Sequence, residues 1–96
     1  MSKYTRPMAF TVEVDREGGL LLVIFRRAPS VGGVEILDAG GELAGVVHVD
    51  ADREPLEIEI FDAGRFPLDA CAAEFGFTGE AGAIGVALGS AELIRA

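Results

Sequence analysis

His48, Asp50, Asp52 and Glu54 stand at every second position of one short segment. An extended backbone sends alternate side chains to the same side, so a strand through this segment would aim an imidazole and three carboxylates together. Neutral imidazole and ionised carboxylate bind divalent metals at about 2 Å, which makes His48, Asp50 and Asp52 the candidate metal or small-molecule site. Two features weigh against it. Alternate strand residues lie about 6 to 7 Å apart, and the segment runs off into the polar turn Ala51 to Pro55. A solvated acidic rim with a half-exposed histidine is the competing reading. A calcium loop starting at Asp50 fails, because Pro55 stands where that loop needs glycine and Phe61 where it needs glutamate.

The remaining candidates for chemistry lack partners. Glu57, Glu59 and Asp62 add carboxylates near the same rim, but nothing in the sequence fixes the separation that glycoside hydrolysis requires. Cys71 lies among Ala70, Ala72 and Ala73, where a small buried hydrophobe is the better reading than a nucleophile. Glycines at 76, 79, 82, 85 and 89 do not follow a phosphate-loop spacing, and no lysine occurs after Lys3. Turns, a bulged strand and tight packing account for them instead. The expectation is therefore a protein without catalytic residues and without a cofactor.

Composition narrows the partners. The chain has 96 residues, half of them apolar, with 8 basic and 16 acidic side chains and a net charge of -8. That sign disfavours nucleic acid, whose binding draws on positive charge. Residues 1–27 hold five basic and three acidic side chains, whereas residues 28–64 hold one and nine. Arg6, Arg16, Arg26 and Arg27 thus have an acidic middle of their own chain as nearest counterpart. The longest purely apolar run, Leu20 to Phe25, is far too short to cross a bilayer. A single cysteine fits a reducing compartment, so a soluble, cytoplasmic protein is expected, with no membrane partner.

The elements that must position these residues follow from periodicity. Met8, Phe10, Val12 and Val14 alternate with polar positions, and Arg16-Glu17-Gly18-Gly19 turns the chain into the fully apolar run Leu20 to Phe25. Val34 and Ile36, then Glu42 to Asp50 with a bulge at Gly45, and then Leu56, Ile58 and Ile60 continue the strand pattern. Leu68 to Gly76 is the one helical candidate, Ala83 to Leu88 reads as a last strand, and Ser90 caps a terminal helical turn. Val34 to Gly40 is echoed by Ile58 to Gly64, which fits either a duplicated hairpin or the shared chemistry of strands that end in Asp-Gly turns.

These elements predict one mainly β domain over residues 1–96, with residues 1–7 as an arm. Its form is a small antiparallel sandwich or open barrel of about six strands with one short helix near 68–76. An α+β fold with a longer helix from Pro67 to Phe77 is the alternative. The expected function is an interaction or assembly module acting by self-association or by docking another protein. Leu20, Leu22, Ile24, Arg26 and Arg27 form the candidate interface, and opposite charges set its register. A small-molecule or divalent-metal-binding domain centred on His48, Asp50 and Asp52 is the alternative function.

Overall fold

The computed structural model describes residues 8–95, so the expected arm at 1–7 lies outside the described residues. Five strands form one antiparallel sheet: β1 (Thr11–Asp15), β2 (Leu20–Ile24), β3 (Gly32–Leu37), β4 (Leu43–Val49) and β5 (Pro55–Ile60), in the spatial order β1-β2-β5-β4-β3. Two helices, α1 (Leu68–Phe75) and α2 (Ala81–Arg95), follow the sheet in sequence. β1 and β3 are the edges. The chain leaves β2 through residues 25–31 and re-enters at the far edge, so β5 closes the gap between the two hairpins.

One face of the sheet is dry. Leu21 and Val23 of β2, Val47 of β4 and Ile58 and Ile60 of β5 are fully buried, in one cluster with Cys71, Phe75, Phe77, Ile84 and Leu88. The alternation read from the sequence places them there, because successive strand residues face opposite ways. Phe77, in the link between the helices, tilts against Phe25 with ring centroids 5.0 Å apart. Gly45 lets Phe66 lie on the sheet: a Cβ there would sit 2.5 Å from the Glu59 carbonyl oxygen and 2.7 Å from the Phe66 ring. The sheet register shifts at this point of the β3–β4 pair, where the sequence placed a bulge.

α1 forms as read. It ends on Gly76, whose left-handed φ of 82° lets its amide reach the Ala72 carbonyl. Asp69 lies in the first turn, and no side chain caps the helix.

Three expectations need correction. The sheet has five strands and stays a single open layer with helices on one face, neither a sandwich nor a barrel. There are two helices, and the stretch read as a last strand, Ala83 to Leu88, lies inside α2, as does the supposed cap Ser90. The buried positions Ile84, Leu88 and Ala91 recur at four and three residues, the helical period. Glycine at 82, 85 and 89 obscured that period, since glycine is a poor helix former that tertiary packing can still hold in a helix.

The sequence echo coincides with a shared turn chemistry. Asp38, Asp50 and Asp62 each end a strand segment and each accept, at Oδ1, the amide two residues on, at 2.8, 2.9 and 3.0 Å. Asp50 does so outside the repeat.

Candidate functional site

Register places the candidate residues on the second face of the sheet. Glu13 of β1 lies opposite Leu22, Leu22 opposite Glu59, Glu59 opposite Val46, and Ile24 and His48 both opposite Glu57. Leu20 and Leu22 are half-buried and Ile24 is buried, yet none of the three belongs to the main core cluster. At one end of this face Ile24 and Leu56 floor a shallow recess of about 360 Å³, with Arg26, Arg27, His48 and Glu57 around its rim. The candidate interface and the candidate metal ligand His48 therefore meet in one place.

Their polar groups are engaged within the chain. His48 Nε2 pairs with Glu59 Oε1, a diagonal contact across β4 and β5 that carries no signature in the linear spacing. Arg26 pairs with Asp50 Oδ2 across the basic and acidic halves of the chain. Arg27 donates to Glu13 Oε2 at 2.9 Å. Asp50 Oδ1 meanwhile accepts the amides of Asp52 at 2.9 Å and Glu54 at 3.0 Å. The Glu54 amide holds the Asp50 carboxyl below its ordinary 3.8; desolvation opposes it, and the Asp52 amide and Arg26 add to the lowering.

β4 ends at Val49, so Asp50 to Arg53 form the turn and Asp52 is exposed in it. His48, Asp50 and Asp52 therefore do not lie along one extended strand. Among the described residues, no group of three His, Cys, Asp or Glu side chains is placed to hold a metal ion. Arg53, at a left-handed φ of 61°, leaves the same turn to donate to Glu74 at 2.9 Å and to lie 5.6 Å above the Phe75 ring. The hairpin turn is thus fastened to α1.

Cys71 is buried against the sheet. Desolvation, reinforced by the nearby Glu74 carboxylate, pushes its thiol up to about 12. It stays a neutral thiol at physiological pH and packs as a small hydrophobe, without the thiolate that nucleophilic chemistry requires.

What sequence reasoning missed is apolar. Large hydrophobic side chains stand in solvent at Val31 (68% exposed), Leu37 (52%), Leu43 (43%), Val86 (74%) and Leu93 (81%). The first three flank β3 at its two ends: Val31 precedes the strand, and Leu37 closes it beside its β4 partner Leu43. The last two project from α2, whose exposed positions Gly82, Ala83, Gly85, Val86, Gly89, Ser90 and Leu93 carry no charge. A Cβ at Gly82 or Gly89 would meet nothing within 4 Å, so neither glycine is required by contacts within the described residues. Helical period applied to Ala81 to Leu93 would have grouped these positions on one side.

Compared with protein-family models, with curated proteins and with solved structures, the chain matches none. Among the described residues, no helix is long and apolar enough to cross a membrane.

Proposed function

We propose that this chain is a non-enzymatic assembly module that works by self-association. The observation that carries this reading is the placement of its large exposed hydrophobics, which fall on the β3 edge and the uncharged side of α2. Singly scattered apolar side chains are ordinary on a protein surface, whereas contiguous apolar patches mark interaction sites. The charged candidates support the same reading from the other side. Arg26, Arg27, His48 and Asp50 are engaged in contacts that fasten turns and strands. Leu20, Leu22 and Ile24 lie lower in the surface, each with at least one acidic side chain as a cross-strand neighbour, and contribute a rim to any contact on the second face.

Light scattering over a hundredfold concentration range tests the reading. The expected result is a mass that rises with concentration in the chain. A single-copy mass at every concentration contradicts self-association.

A further inference from the structure

We propose that β3 pairs edge to edge with β3 of a second copy of this chain, antiparallel about a two-fold axis through Val34, joining two five-stranded sheets into one of ten. The inference rests on the self-association reading and adds to it a surface, a partner and a register.

The ladder determines which backbone groups of β3 are available. Phe61 donates its amide to the Ala44 carbonyl, so residues 44, 46 and 48 of β4 bond toward β5. Strict alternation in an antiparallel ladder then turns Gly45, Val47 and Val49 toward β3, where their partners are Ile36, Val34 and Gly32. Gly33, Glu35 and Leu37 are left with amide and carbonyl groups aimed out of the edge. An edge of this kind is a template for another strand unless charge, proline or a short length blunts it. Glu35 is the only charged residue in Gly32–Leu37, and the strand contains no proline or lysine.

The side chains then select the register. Pairing about a two-fold normal to the sheet keeps each residue on its own face, so the axis must pass through a residue. An axis at Glu35 sets two glutamates directly opposite, which destabilises a pair. Axes at Gly33 or Ile36 leave part of the strand unpaired. An axis at Val34 places each Glu35 opposite the glycine at position 33 of the other copy and pairs Gly32 to Ile36, while the Val31 amide stays on the Val49 carbonyl of its own sheet. It also sets Val31 against Leu37 at both ends, next to Leu43, so three of the exposed large hydrophobics cover one another. The contact is isologous and closes at two copies.

Cysteine cross-linking reads this register directly. Across the Val34 axis the two Val34 Cα atoms form a non-hydrogen-bonded pair about 4.5 Å apart, within disulfide reach, while the two Glu35 Cα atoms lie about 8 to 9 Å apart, beyond it. Under mild oxidation Val34→Cys is expected to give a covalent dimer and Glu35→Cys to stay largely uncross-linked; the native Cys71 is buried and adds no background. Val31→Lys/Leu37→Lys, at exposed positions, is expected to raise the dissociation constant of the uncross-linked dimer by roughly tenfold or more. Circular dichroism of each variant reports retention of the fold.

Efficient cross-linking of Glu35→Cys, or association unchanged in the double lysine variant, overturns the β3 pairing and leaves self-association standing through another surface. A folded Val34→Cys chain that dimerises without cross-linking overturns the register. A chain that is single at every concentration overturns both this inference and the proposed function.

Discussion

Two regions of the surface use their residues in opposite ways. Around the β4–β5 turn, Arg26, Arg27, His48 and Asp50 each have a partner within the chain, and even the amides of Asp52 and Glu54 are taken up. Along the β3 edge and the outer side of α2, large apolar side chains face water, and a Cβ at either of two helical glycines would meet nothing within 4 Å among the described residues. The residues richest in chemistry are therefore the ones the fold consumes. Those with least chemistry remain available. This separation is what the assembly reading proposed above rests on.

The contrast can be broken first at its glycines. Gly45→Ala drives a Cβ into the Glu59 backbone and the Phe66 ring. Overpacking of this kind costs about 1 to 3 kcal/mol, which chemical denaturation of the variant should show. Gly82→Ala and Gly89→Ala point the other way. Each is expected to stabilise the isolated chain by about 0.5 to 1 kcal/mol, since alanine is the better helix former and nothing obstructs its methyl. If α2 packs closely on a second copy, the same variants associate more weakly while melting higher when dilute. A loss of stability in dilute solution would show that these glycines serve the fold after all.

The charged region gives smaller effects. Arg53→Ala removes the contact with Glu74 and the packing over Phe75, and about 1 kcal/mol is expected to be lost in denaturant titration. Asp50 carries a sign in pH. Its folded carboxyl titrates below 3.8, so its contribution is present above that value and disappears as pH falls through the lowered one. Asp50→Asn should accordingly melt lower than the parent at neutral pH, and the gap should close on acidification. Cys71 carries the opposite sign. Between pH 9 and about 12 an unfolded thiol ionises and the folded one does not, so stability falls with rising pH there, and Cys71→Ser should flatten the slope. Smallest of all, zinc, manganese, nickel or calcium should leave the melting temperature unchanged. A rise that His48→Ala abolishes would restore the metal reading of His48, Asp50 and Asp52.

These contrasts also show what a linear sequence can carry. Alternation in β1 and β5 and the stop at Gly76 were legible because pleat, period and left-handed φ act over a few neighbouring residues. α2 was not, because its packing on the sheet overrides the low helix propensity of Gly82, Gly85 and Gly89. The acidic cluster was legible as residue types and misleading as geometry. Whether His48 meets Asp50 or Glu59 depends on the β4–β5 register, and whether Asp50 faces a ligand depends on a turn that claims its Oδ1. Val31 and Leu37 give no local sign of exposure, since a strand's place at the edge is a property of the whole sheet.

Sedimentation velocity across a hundredfold concentration range, at low and at high salt, tests the central claim most directly. Contacts made by apolar side chains and strand edges predict an oligomer that persists or tightens as salt rises, because screening weakens ion pairs and leaves hydrophobic burial intact. Dissociation at high salt would return the interface to the basic and acidic halves of the chain, and a single copy under every condition would contradict assembly altogether.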